Sequence, residues 1–326
     1  MQLQSFQRLL KDPFTVSVYY LFEKWRTPDG RRYLSTNVYK ALAKLLNRIK
    51  FHRYRKPRDQ FLSEFGRRVG FRVPDDFMRD GWHLATPTDV PEITAAVACA
   101  KRIFEEKGED TNRTLMPYTV AYYDELLNEP EIAAFAFSDK IIKYASDYLG
   151  EYPVLTNIGL VRTDPRAGQE WLEAQNLHLD VIDTKVFRVL LYVTDVKKEN
   201  GPFSFYPLSI SERLSTDPKL AYGGMLSNMG IEDHEIPSYA SDNLIGITGQ
   251  AGTTFFVDTC RCFHFGSRAE SGTRGVLMLA YTGLAIENLR ESMGLDIMGY
   301  DVPGSSDKER FLLDRRYIPN ELKGGH

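Results

Sequence analysis

From about residue 153 onward the sequence changes period, and that change restricts the chain to few architectures. The stretches "YPVLTNIGLVRT", "KVFRVLLYVTD", "GPFSFYP", "GTTFFVDT" and "RGVLMLAYTG" are short, rich in β-branched and aromatic residues, and bounded by Gly, Pro, Asp or Asn. Several such strands without long intervening helices point to an antiparallel barrel or a double-sheet jelly roll. Between Pro207 and Gly252 lies a Ser/Gly/Asp-rich interval too long for a turn. Segments of that length are commonly lids or insertions, so it is a candidate gate over a site.

The first third reads as helical. "NVYKALAKLLNRIKFHRYRKPR" spaces Val38, Leu42, Leu45, Leu46 and Ile49 along one stripe with lysines and arginines around it, and Pro57 is expected to end that helix. "TPTDVPEITAAVACAKRIFEEKG" carries a capping residue, Pro91 at the start, acids in the first turn and Gly108 at the end. "SDKIIKYASDYLG" repeats that grammar in shorter form.

Charge is distributed unevenly along these segments. Residues 1–74 hold 17 Lys and Arg against 5 Asp and Glu, a balance of +12, whereas the remainder holds 24 against 39, or −15. Such a split suits either contact with an anionic partner or docking of a basic face on the acidic main body. Peripheral membrane contact through the basic segment fits the same pattern. Nucleic acid is not the expected partner, because the aromatics of this segment (Tyr19, Tyr20, Trp25, Tyr33, Tyr39, Phe51, Tyr54) read as core as readily as base-stacking platforms.

Compartment and solubility follow from what is missing. "MQLQSFQRLLKDPF" lacks a basic n-region and an apolar h-region. The apolar run "GVLMLAYTGLAI" has twelve residues, against about twenty for a membrane span. Cys99, Cys260 and Cys262 are too few for a disulfide framework, and Cys260 and Cys262 read as strand packing. A soluble, cytoplasmic protein in a reducing compartment is the expectation.

The chemistry-bearing residues lie among the strands. "NLHLDVIDTK" places His178 and Asp180 two residues apart in an apolar run, a spacing that on a strand aims both side chains to one face. A His-x-Asp pair arises readily by chance, and a hydrogen-bonded core pair is the plain alternative. A divalent metal would offset the cost of burying the carboxylate. "TTFFVDTCRCFHFGSR" reads as a strand running into His264, which supplies a third ligand. Two histidines and one carboxylate on one face make the facial triad of non-haem Fe(II) oxygenases. Ten residues later Arg274 enters an apolar strand, where it suits bidentate capture of a carboxylate, with structural pairing to Glu270 or Asp258 as the alternative. Arg268, in an expected turn, is a rival carboxylate binder. His234 has acidic neighbours and reads as a loop histidine, His52 belongs to the basic helix, and His83 precedes a helix start.

"LHLD", "LLYVTDVKKENGPFSFYP", "GTTFFVDTCRCFHFGSR" and Arg274, in that order and spacing, resemble the phytanoyl-CoA dioxygenase-like family of Fe(II)/2-oxoglutarate oxygenases over roughly residues 150–285. Members of that family commonly continue with a Pro-Gly-Ser-His turn where this chain reads "YPLSISER". The resemblance implies a mainly β fold with flanking helices, a double-stranded β-helix (jelly roll, cupin-like) at about 150–285. The charge split sets apart a basic, mostly helical extension at 1–74, which the resemblance does not reach, from an oxygenase domain at 75–326. The resemblance further implies that His178, Asp180 and His264 bind Fe(2+), that Arg274 holds the far carboxylate of 2-oxoglutarate, and that O2 is the second cosubstrate. The implied reaction is hydroxylation of an unactivated C–H bond in a small-molecule or lipid- or phosphate-linked substrate, which an anionic group would suit, with release of succinate and CO2. Two other classes stay open at this point: a non-catalytic jelly-roll binding module acting through its basic arm, and a cupin-type metal enzyme that does not use 2-oxoglutarate.

Overall fold

The computed structural model describes residue 45 and residues 52–107, 114–116, 119–122, 126–165, 173–180, 183–217, 220, 230–266, 268–284 and 306–313. In chain order its elements are α1 (His52–Arg68), α2 (Asp75–Asp80), β1 (Trp82–Ala85), α3 (Ile93–Lys107), β2 (Thr114–Met116), β3 (Thr119–Tyr122), α4 (Pro130–Ala136) and α5 (Asp139–Leu149). There follow β4 (Val154–Thr163), β5 (Phe187–Tyr192), β6 (Ser204–Phe205), α6 (Leu208–Thr216), α7 (Ser238–Ser241) and β7 (Ile245–Gly246). The last are β8 (Thr254–Val257), β9 (His264–Phe265), β10 (Arg274–Thr282) and α8 (Asp307–Leu313).

The strands form two antiparallel sheets. The larger has the order β1-β8-β5-β10-β4-β3-β2 and the smaller the order β7-β6-β9. A bridge between His178 and His264 lays His178 alongside β9, on its other side, while Leu177 pairs with Ile231. The pairings nest: β4 with β10, His178 with β9, β5 with β8, and β6 with β7. Nested pairs split between two facing sheets are the topology of a jelly roll, so the core is a double-stranded β-helix with helices packed outside it.

The larger sheet is covered on both faces, and this explains the near-continuous apolar runs in its sequence. On β5, Phe187, Val189 and Leu191 join the core shared with the helices, whereas Leu190 and Tyr192 face the smaller sheet. On β10, Leu277, Leu279 and Tyr281 pack outward and Val276 packs inward. The outer core is completed by Ile93, Ala96, Ala100 and Phe104 of α3, Ile132 and Phe135 of α4, and Ile141, Ile142 and Ala145 of α5. Each alternation follows from the two-residue period of a strand.

Several expectations need correction here. Pro57 does not end a helix but lies inside α1. Cys260 and Cys262 are buried in the turn between β8 and β9, not on a strand. The stretch ending at His264 is not one strand: β8 belongs to the larger sheet and β9 to the smaller, and the turn carries the chain from one to the other. His83 stands on β1, with its Nδ1 2.8 Å from Asp76 Oδ2, rather than before a helix. The described part of the 207–252 interval contains α6, α7 and β7. The apolar stripe of residues 38–49 falls, Leu45 apart, outside the described residues.

Phe65, Val69 and Val73 pack into the same core as Phe77, which ties the described part of the 1–74 segment to the body. Arg58 reinforces that tie. Buried at 2% exposure, it donates to the carbonyls of Tyr152 (2.8 Å), Pro153 (2.9 Å) and Phe311 (2.5 Å), stapling α1 to β4 and α8. Among the described residues no helix is long and apolar enough to cross a membrane.

Candidate metal centre

His178 and His264 are opposite residues in adjacent strands. Each backbone N–H donates to the other's carbonyl at 2.9 Å, the reciprocal pairing that sets two side chains side by side on one face of an antiparallel ladder. Their ring centroids are 4.3 Å apart. Asp180 lies just beyond the bridge, where its backbone N–H donates to the Thr259 carbonyl at 2.8 Å. Its Oδ1 comes within 3.9 Å of His178 Nε2 and 3.8 Å of His264 Nε2. The three ligand atoms all fall within 4.8 Å of one another. Asp180 thus reaches the histidines from a segment that pairs with the turn, not through strand alternation.

The imidazoles are oriented from behind. His178 Nδ1 is 2.9 Å from the Asn176 carbonyl, and His264 Nδ1 is 3.0 Å from the Cys262 carbonyl. A carbonyl only accepts, so each Nδ1 carries the proton and each Nε2 presents its lone pair. Burial, with His178 alongside, lowers the pKa of His264 to about 3, so its ring is neutral at physiological pH. Phe203 stacks on His264 with centroids 5.3 Å apart and covers the ring on the side of the inner core.

Burial works against the charge of Asp180, but Arg188 foremost, seconded by the Thr259 hydroxyl, outweighs it and holds the carboxyl well below its ordinary range. Arg188 Nη2 donates to Asp180 Oδ2 at 2.6 Å, and the Thr259 hydroxyl donates to the same oxygen. Neither residue was found by sequence reasoning. The signal for Arg188 was nonetheless available: it is the lone charge inside "VFRVLLYV", the same anomaly that singled out Arg274.

Arg274 opens β10 and is 5% exposed. Its Nη1 donates to the Gly201 carbonyl. Gly201 follows the "KEN" turn at φ 67°, and a Cβ there would lie 2.4 Å from the Arg268 backbone, so this Asn-Gly-Pro corner requires glycine. Gly266, two residues after His264, lies beside the guanidinium, where a Cβ would come into contact at 3.4 Å from Arg274 Nη1. Burial lowers the pKa of Arg274 from its ordinary value, with nearby Tyr192 working against that shift. The rival Arg268 is committed elsewhere. It donates to both oxygens of Asp233 at 2.9 Å and to the Gln175 carbonyl at 2.6 Å. Asp258 accepts from Tyr148 and from the backbone N–H groups of Val186 and Cys260. His234 is exposed and lies 3.2 Å from Glu232, away from the triad's ligand set.

A second group of potential ligands, Cys99, Glu129 and Glu131, lies at the α3–α4 junction. Arg102 donates to Glu129 and to Cys99 Sγ there, and burial raises the thiol to about 11, so the sulfur stays protonated. A thiol needs to ionise to ligate well. His178, Asp180 and His264 therefore form the better donor set among the described residues.

No protein-family profile matches the chain, and no curated protein matches it. Solved structures similar to it include the non-haem α-ketoglutarate-dependent epimerase SnoN from nogalamycin biosynthesis, at 17% identity over 71% of this chain and 89% of that one, with TM-score 0.48. EctD from S. alaskensis with bound Fe is 14% identical over 65% and 75%, with TM-score 0.45. HygX from Streptomyces hygroscopicus with nickel and 2-oxoglutarate bound is 16% identical over 63% and 84%, with TM-score 0.41. At these identities and scores the likeness fixes neither a family nor a substrate.

Proposed function

We propose that the chain is an Fe(II)- and 2-oxoglutarate-dependent oxygenase that hydroxylates an unactivated C–H bond of a small-molecule substrate. The observation that carries this reading is the convergence of two Nε2 lone pairs and one carboxylate oxygen, with each Nδ1 committed to a backbone carbonyl. The donor set fits the ion. Two nitrogens and one anionic oxygen suit ferrous iron; neighbouring ligand bonds of about 2.1 Å put their donors roughly 3.0 Å apart, so the carboxylate–imidazole separations of 3.8–3.9 Å would close by about 1 Å around the ion.

When bound, Fe(II) with 2-oxoglutarate and O2 supplies an oxidant strong enough to take hydrogen from carbon, with succinate and CO2 as coproducts. The residues of the chain do the rest. His178 and His264 bind through Nε2 and Asp180 through Oδ1. The Asn176 and Cys262 carbonyls hold the rings in the binding tautomer. Arg274, planar and buried at the start of β10, would take the far carboxylate of 2-oxoglutarate in a bidentate grip that also offsets its own burial. Phe203 keeps water from the His264 ring.

The test is anaerobic reconstitution with Fe(II), then aeration with 2-oxoglutarate and ascorbate while succinate is measured against a panel of small metabolites. The wild-type protein should bind one equivalent of iron and release succinate. His178→Ala and His264→Ala should each lose both while retaining the wild-type circular dichroism spectrum. Normal turnover by either variant would refute the ligand assignment.

A further inference from the structure

Arg188 grips the carboxylate oxygen that the two histidines leave alone. It stands on the inward face of β5 with Leu190 and Tyr192, two and four residues on. From there its Nη2 reaches Asp180 Oδ2 at 2.6 Å and its Nε reaches Thr259 Oγ1 at 3.0 Å. The Thr259 hydroxyl donates a hydrogen bond to the same Oδ2. One oxygen of Asp180 is thus held by two donors, while the other lies 3.8–3.9 Å from both Nε2 atoms. The side chains of Arg188 and Asp180 are only 12% and 19% exposed, so solvent screens this pair weakly.

A carboxylate free to turn presents both oxygens to a divalent cation. We propose that Arg188, seconded by Thr259, is a positioning residue that restricts Asp180 to one ligand oxygen and offsets part of its charge, which keeps a coordination position for the keto-acid end of the cosubstrate. This inference rests on the oxygenase reading above. Its consequence is opposite to that of an ordinary supporting contact: loss of Arg188 strengthens the hold on the metal and weakens the hold on the cosubstrate.

The experiment is isothermal titration of the full-length protein with Co(II), then of the Co(II)-loaded protein with 2-oxoglutarate, at neutral pH and with folding checked by circular dichroism. Arg188→Met removes the competing cation and leaves Oδ2 held by Thr259 alone. It should bind Co(II) about tenfold tighter or more, since unit charges this close interact by several kcal/mol at intermediate dielectric, and should bind 2-oxoglutarate about tenfold more weakly. Arg188→Lys keeps the charge and should stay close to wild type in both. A folded Arg188→Met protein that binds Co(II) equally or more weakly overturns the proposal. Should that variant not fold, Thr259→Val removes one donor from the same oxygen and should move both affinities in the same directions by less; unchanged values there overturn it as well. Absence of stoichiometric Co(II) uptake by the wild-type protein overturns the oxygenase reading itself, whereas wild-type uptake with no effect at Arg188 or Thr259 overturns only the positioning role.

Discussion

The turn that carries Thr259 to Asp180 hangs on a single buried carboxylate, and its protonation sets a measurable pH dependence. Asp258 is fully buried at the end of β8. One oxygen accepts from the Val186 N–H (3.2 Å) and the Cys260 N–H (3.0 Å), and the other accepts from the Tyr148 hydroxyl. Burial pushes its pKa up to about 6 from an ordinary value of 3.8, with those hydrogen bonds opposing the shift. The folded chain therefore holds this proton more tightly than the unfolded chain does. Stability from this group is full below the ordinary carboxylate value and is lost as pH rises through about 6. At 1.36 kcal/mol per pH step the loss amounts to roughly 3 kcal/mol. Asp258→Asn abolishes the titration, and the amide oxygen can still accept from the two backbone donors. Urea unfolding of wild type and variant should give curves whose difference in free energy swings by up to roughly 3 kcal/mol from below the ordinary value of 3.8 to above about 6, in favour of the variant as pH rises. A difference that stays constant across that range would refute the claim that burial dominates at Asp258.

Arg274→Ala should raise the apparent Michaelis constant for 2-oxoglutarate by about a hundredfold, the worth of a bidentate charged contact of roughly 3 kcal/mol, while Fe(II) stoichiometry is unchanged. An unaltered constant would remove the cosubstrate role from this residue. Gly201→Ala combines a left-handed φ of 67° with a Cβ within 2.7 Å of the Arg268 and Ala269 backbone. Destabilisation of about 1–3 kcal/mol is expected, visible as a lowered Tm; an unshifted Tm would show that the 198–201 corner yields.

Which parts of this structure could be read from residues alone has a physical pattern. β4, β5, β8 and β10 were legible because both faces of the larger sheet are covered, so their sequences are largely apolar and stop at turn residues. The smaller sheet was far less legible: β6, β7 and β9 have two residues each, too few for any period to register, and their partners alone define them. That is why the approach to His264 looked like one strand rather than a strand, a turn and a change of sheet. The helix around Pro57 was cut short in expectation because local propensity ignores what tertiary contact can enforce. Phe61, Leu62, Phe65 and the buried Arg58 anchor α1 on either flank of the core contact. Of the site, the three candidate ligands and Arg274 stood out by residue type and spacing, whereas Arg188 and Thr259 matter only through their position beside Asp180, which spacing does not encode.

The nested strand order has a kinetic meaning. Its outermost partners, β4 and β10, are separated by more than a hundred residues, and the two histidines face one another across the next layer of the same nest. Closing such loops is entropically slow, and ribosomal synthesis delivers His264 long after His178. A nascent or truncated chain ending before β9 would contain half a chelating pair and no cavity to shelter it. On the proposed reading, a metal ion would find its three ligands together only after β9 has been made and paired with His178.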